Sequence, residues 1–136
     1  SADQNGEKIT LEQYKGKKIV LYFYPKDMTP GCTAQSCNLT ENYDSLKEKG
    51  YEVLGVSCDS VKRHQKFIEK YNLAFSLISD EDQKVVQDFG VWGLKKFMGR
   101  EYMGISRTTF IIDENGVIEE VIAKVDTKNH TSQILK

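Results

Sequence analysis

The chain has 136 residues, with 19 Lys and Arg against 20 Asp and Glu and a formal net charge of -1. That length suits a single domain with a real core, and the even charge balance offers no basic stripe for nucleic acid, so no nucleic-acid partner is expected. No apolar run approaches the roughly 18 residues of a membrane span, so no membrane association is expected, and no signal peptide is visible.

After a polar start, Ile19-Val20-Leu21-Tyr22-Phe23-Tyr24 is a near-continuous apolar run. It fits a strand covered on both faces, as in the parallel part of an α/β sheet. A loop containing Pro25 and Pro30, the only prolines, follows. Residues 33–49 are expected to form a helix ending at Gly50, with Leu39, Tyr43 and Leu46 on one face. Residues 51–57 give a second buried strand. Asp59 or Ser60 caps a helix through Tyr71, with Phe67, Ile68 and Tyr71 inward. Residues 75–78 are a short third strand, and 81–89 a short helix stopped at Gly90.

The stretch 93–106, with Lys95, Lys96, Arg100 and several glycines, reads as a long loop. Residues 108–112 and 117–125 flank Asp113-Glu114-Asn115-Gly116 and are expected to form a β-hairpin. A last helix starts near Asn129. The order β-α-β-α-β-α-β-β-α suggests an α/β sheet of mixed direction with helices on both sides.

The chemistry centres on three cysteines, Cys32, Cys37 and Cys58. An odd number does not suit a disulfide-stapled secreted scaffold, so a reducing, cytoplasmic setting is expected. Thr29-Pro30-Gly31-Cys32 lies at a strand-to-helix junction. A free thiol titrates near ~8.5 and is mostly protonated at neutral pH. At a helix N-terminus, unpaired N–H groups and the dipole favour the thiolate, the reactive form.

Cys37 follows five residues later. Residues i and i+5 of a helix differ by about 140° and about 7.5 Å of rise. Their Cα atoms then lie beyond the roughly 7 Å limit for a disulfide. If the two react, at least one helical turn must unwind.

The placement of Pro25, Thr29 and Cys32 resembles the peroxiredoxin signature Pro-x-x-x-Thr-x-x-Cys. Thr29-Pro30-Gly31-Cys32-Thr33 and the C-x4-C spacing resemble the bacterioferritin comigratory protein group, also called peroxiredoxin Q. The likeness extends to residues 53–57, 64–67, 102–107 and 109–113. It implies a thioredoxin-like fold, a central mixed sheet flanked by helices on both faces, in one domain short of the family length at both ends.

The resemblance also implies a thiol peroxidase acting on hydrogen peroxide and organic hydroperoxides. Cys32 would be the attacking thiolate and Cys37 the resolving thiol, with thioredoxin or a similar dithiol reducing the resulting disulfide. Thr29 would hydrogen-bond the thiolate and the peroxide oxygen. Pro25 would rigidify the loop and shield the sulfur, and Arg107 would stabilise the thiolate and hold the peroxide with its fork of donors. Gln35 departs from the Glu often found at its place. A monomer without cofactor is expected.

Cys58 reads as a small buried thiol. His64 and His130 lack a third ligand at metal spacing, so no metal is expected. A thioredoxin-like disulfide oxidoreductase would carry C-x-x-C and a proline where Ser106-Arg107-Thr108 stands. A non-enzymatic holdase or metal-binding module would expose apolar patches or bind zinc through Cys32 and Cys37.

Overall fold

The structure is a computed structural model. It describes residues 2–3, 6, 14, 16–97, 99–128 and 130–134. In chain order these form β1 (Ala2–Asp3), β2 (Lys18–Phe23), α1 (Pro30–Glu41), α2 (Tyr43–Glu48), β3 (Tyr51–Ser57), α3 (Val61–Tyr71) and β4 (Ser76–Ser79). Next come α4 (Lys84–Asp88), β5 (Trp92–Phe97), β6 (Arg100–Ile105), β7 (Thr108–Ile112), β8 (Ile118–Ile122) and α5 (His130–Ile134).

Six strands make one sheet in the order β1-β4-β3-β2-β7-β8. β2, β3 and β4 are parallel, while β7, β8 and β1 join antiparallel. The apolar run of β2 is therefore central, as its continuity required. Its alternate residues divide the core. Val20, Tyr22 and Tyr24 face α1, α2, α3 and α5, and pack with Cys32, Leu39, Leu46, Phe67 and Ile134. Ile19, Leu21 and Phe23 face the other way, toward α4 and the segment entering β5, with Val86 and Val91. The sheet is mixed and covered by helices on both sides, as expected.

Two expectations change. The helix expected over 33–49 begins earlier, at Pro30, and breaks at Asn42 into α1 and α2. The Asn42 side-chain amide donates to the Asn38 carbonyl at 2.8 Å, beside the Asn42 backbone N–H on the same oxygen. Such side-chain competition for a helical carbonyl bends helices. The stretch expected as a loop over 93–106 is instead the hairpin β5–β6, paired from Trp92↔Ile105 to Phe97↔Arg100. It carries little core: the cross-strand pair Leu94 and Met103 is 62% and 52% exposed. Only its base, at Trp92 and Ile105, packs on the core, which leaves no alternating pattern to read.

The β7–β8 hairpin is present, its turn held by Asp113 Oδ1, which accepts from the N–H groups of Asn115 and Val117. Ser60 caps α3, accepting from the Arg63 N–H at 3.2 Å, while Asp59 serves elsewhere. The expected last helix is α5; Asn129 and residues 135–136 lie outside the described residues.

Candidate active site

β2 delivers the chain to the site. Tyr24, just beyond β2, donates its backbone N–H to Val56 at 3.1 Å, and the chain then turns through residues 25–29 into α1. Thr29 is extended at φ -79°, ψ 152°, as a residue before proline should be. Pro30 opens α1, where a missing N–H is no loss. Thr29 sits at the N-cap position, but its hydroxyl donates to the Lys26 carbonyl at 2.9 Å and makes no cap bond.

Cys32 is the third residue of α1 and fully buried. The first turn has no acidic side chain to cancel the positive end of the helix. The Arg107 Nη2 donates to Cys32 Sγ at 3.1 Å, and its Nη1 donates to Gln35 Oε1 at 2.7 Å. The antiparallel register Phe23↔Thr108 brings Arg107, the residue before β7, alongside the point where the chain leaves β2. Gly31 makes room: a Cβ there would come within 3.2 Å of the Arg107 Nη2. Cys32 and Arg107 thus meet, Thr29 lies at the mouth of the helix, and Pro25 is half-buried at the start of the loop.

Cys37 lies on the same helix, half-buried and unoxidised. Burial raises its thiol pKa, and Glu41 raises it further. With both cysteines inside an intact α1, the spacing argument holds, and no disulfide forms without unwinding. Just beyond, Asn38 ties α1 to the C-terminal segment. Its Oδ1 accepts from the Thr131 N–H and hydroxyl, each at 2.8 Å, and its Nδ2 donates to the Lys128 carbonyl at 2.9 Å.

Cys58 lies apart, at the end of β3 in the other half of the core. Burial, with Asp80, Asp59 and Asp82, pushes its thiol up to about 11, so it stays protonated and poorly nucleophilic.

Sequence spacing missed a buried network behind the loop. Asp27 is fully buried, with all its polar groups engaged. Its Oδ1 accepts from the Tyr24 hydroxyl at 2.5 Å, and its Oδ2 lies 2.6 Å from His64 Nδ1. Its N–H donates to Asp59 Oδ2 at 2.8 Å, and its carbonyl accepts from Arg63 Nη2 at 3.2 Å. The His64 Nε2 faces the Ile78 carbonyl at 3.0 Å. A carbonyl only accepts, so Nε2 is the donor in this contact.

Asp27, Asp59 and His64 bring donor atoms within 4.8 Å of one another, partners that the separate positions of His64 and the two carboxylates had not revealed. Each is committed to hydrogen bonds, and the Arg63 guanidinium pairs with Asp59 at 3.1 Å. The cluster is a clamp that fixes the loop. Next to it, Met28 is held at φ +65°, a conformation rare outside glycine.

Comparison with known proteins places the chain in a family. The AhpC/TSA family profile matches residues 1–121. The chain is 49% identical to peroxiredoxin Bcp of Escherichia coli (strain K12) over 133 residues, 98% of this chain and 85% of that protein. It is 48% identical to peroxiredoxin Bcp of Bacillus subtilis (strain 168) over 132 residues, 97% of this chain and 84% of that protein. A structure of the Xanthomonas campestris bacterioferritin comigratory protein, studied for its alkyl peroxide reduction activity, superposes with a TM-score of 0.92 at 35% identity. It covers 98% of this chain and 85% of that one. Sequence, fold and the buried Cys32–Arg107 contact converge: the chain belongs to the AhpC/TSA family and, within it, to the Bcp/peroxiredoxin Q group of thiol peroxidases.

Proposed function

We propose that Cys32 is the peroxidatic nucleophile and Cys37 the thiol that resolves it, in a cycle recharged by thioredoxin or a similar dithiol. The observation that carries this is the Arg107 Nη2 donating to Cys32 Sγ at 3.1 Å over the acid-free first turn of α1. A guanidinium and a helix N-terminus together favour the thiolate.

The Cys32 thiolate attacks the near oxygen of a hydroperoxide. The O–O bond breaks, the sulfur is oxidised to sulfenic acid, and the other oxygen leaves as water or an alcohol after taking a proton. Arg107 neutralises the charge that develops on the two oxygens. Thr29, its proton committed to Lys26, keeps lone pairs to accept the peroxide O–H. Pro25 stiffens the loop and helps keep water from the sulfur.

α1 then unwinds. The Cys37 sulfur displaces hydroxide from the Cys32 sulfenic acid, water is released, and the disulfide forms. The external dithiol reduces it by thiol–disulfide exchange. Both sulfurs come from one chain, which supports action as a monomer. The three free thiols suit a reducing compartment such as the cytoplasm.

The test is turnover with hydrogen peroxide and with an organic hydroperoxide, coupled to thioredoxin. Cys32→Ser is expected to abolish it, and Cys37→Ser to reduce one equivalent of peroxide and stop. Retention of most turnover by Cys32→Ser would reject the assignment.

A further inference from the structure

Gln35 is fully buried one helical turn after Cys32, so the two side chains leave the same face of α1. Its Oε1 takes one branch of the Arg107 guanidinium at 2.7 Å, while the other branch reaches Cys32 Sγ at 3.1 Å. One turn of α1 therefore holds Arg107 at two points. Arg107 itself stands one residue before β7 and is no part of that helix. When α1 unwinds, Cys32 and Gln35 leave Arg107 together. The fork is in place only while the helix is folded.

The residue type matters. A carboxylate is the usual partner of a guanidinium, and with opposite charges on both sides it would hold Arg107 more tightly than a neutral amide does. It would also share the positive charge otherwise directed at Cys32. The neutral Gln35 amide positions Arg107 without that competition. It does so with one group unsatisfied: its Nε2 finds no acceptor among the described residues. A buried donor without an acceptor weakens the folded state that contains it. Gln35 thus orients Arg107 for the attack while leaving the helix easier to open for the step that follows.

We propose that Gln35 is a positioning residue that couples the folded state of α1 to the placement of Arg107. Through that coupling it sets the competition between disulfide formation and overoxidation of Cys32. The proposal rests on the reading of Cys32 and Cys37 given above. In the competing step, the Cys32 sulfenate attacks a second hydroperoxide and takes one oxygen. The sulfur becomes sulfinic acid, and water or an alcohol leaves. That step needs the folded site, whereas disulfide formation needs the unwound one.

The test uses the reduced full chain and two variants, Gln35→Glu and Gln35→Met. Stopped-flow Trp92 fluorescence with rapid-quench mass spectrometry separates peroxide attack from disulfide formation, and mass spectrometry reads the sulfinic fraction against hydrogen peroxide concentration. Gln35→Glu is expected to slow disulfide formation at least threefold and to reach half-maximal sulfinic acid at a severalfold lower peroxide concentration. Gln35→Met is expected to slow peroxide attack tenfold or more, with disulfide formation no slower than in the parent chain.

Hydrogen-exchange protection of residues 32–40 in both reduced variants, compared with the parent, shows whether α1 is still folded, and a slowed attack with α1 intact distinguishes positioning from damage. Disulfide formation as fast in Gln35→Glu as in the parent, peroxide attack as fast in Gln35→Met, or equal slowing of both steps in Gln35→Met would each overturn the proposal. If one variant does not fold, the other still decides. A parent chain that consumes no peroxide would instead overturn the peroxidase reading itself.

Discussion

Arg107 Nη2 and Cys32 Sγ lie 3.1 Å apart although 75 residues separate them in the chain. The contact depends on the antiparallel pairing of β2 with β7, because Phe23↔Thr108 sets the residue before β7 beside the loop that enters α1. A one-residue slip in that register would turn Arg107 to the opposite face of the sheet.

Arg107→Met removes this cation and both of its hydrogen bonds. A hydrogen bond to a charged group is worth about 1.5–3 kcal/mol. Peroxide attack at neutral pH is expected to slow roughly 10- to 100-fold, and Arg107→Lys to restore only part of the rate, because Lys lacks the fork that reaches Cys32 and Gln35 at once. Stopped-flow measurement of the attack step decides; an unchanged rate in Arg107→Met would show that the contact serves only packing.

Oxidation is expected to unwind the start of α1. Hydrogen exchange should show residues 32–40 protected in the reduced chain and exposed in the disulfide form. A few backbone bonds are lost, each worth about 1 kcal/mol net, which covalent bond formation can drive. Asn38, fastened to Thr131 and Lys128, resists the spread of this opening. Asn38→Ala should therefore speed disulfide formation severalfold. Equal protection in both redox states, with a Cys32–Cys37 disulfide confirmed by mass spectrometry, would contradict the unwinding step.

The Asp27–His64 clamp is buried on both sides, so loss of one partner strands a polar group without water. Asp27→Ala is expected to destabilise the fold by about 3 kcal/mol or more, as is typical when one member of a buried pair is removed. Replacing both, with Asp27→Ala and His64→Leu, should destabilise less than the sum of the single changes. Urea denaturation of the four chains of this cycle provides the measurement, and strict additivity would mean the pair is not coupled.

Acid sensitivity is expected from His130. Its Nε2 lies 2.8 Å from the Thr109 hydroxyl and its Nδ1 2.8 Å from Gln133 Oε1, buried at the start of α5. Burial holds its pKa below the ordinary value of 6.5, with Arg107 adding to the effect against Gln133 and Asp126. Below about pH 6.5 the unfolded chain takes up this proton first. The unfolded state then binds more protons, so stability falls as the pH drops toward the lower folded value. His130→Gln should flatten the stability profile between roughly pH 6.5 and 5 relative to the parent. Parallel profiles for the two chains in thermal melts across that range would refute this.

Much of this protein was legible in its sequence because the relevant physics is local. The continuous apolar run of β2 fitted a strand covered on both faces, and the Thr29–Cys32 lead-in placed a thiol at a helix start. The i, i+5 spacing of Cys32 and Cys37 implied, from helix geometry alone, that a bond between them would require unwinding. The resemblance to the family motif singled out Thr29, Pro25 and Arg107, whose roles remain part of the proposal.

What the tertiary structure decided depends on partners distant in sequence. The hairpin within 93–106 was invisible because a ribbon that meets the core only at its base leaves no periodic signature. The break at Asn42 turned on one side-chain amide competing for one carbonyl. Nothing local in the sequence singled out Asp27, and His64 read as a helical histidine without metal-ligand spacing. Only the packing of α3 behind the loop put them 2.6 Å apart and out of water. Gln35 likewise gained its meaning from a guanidinium 72 residues further along the chain. Periodicity specifies which face of an element is buried; which polar group waits there is fixed by strand order and register, and those are set by the fold as a whole.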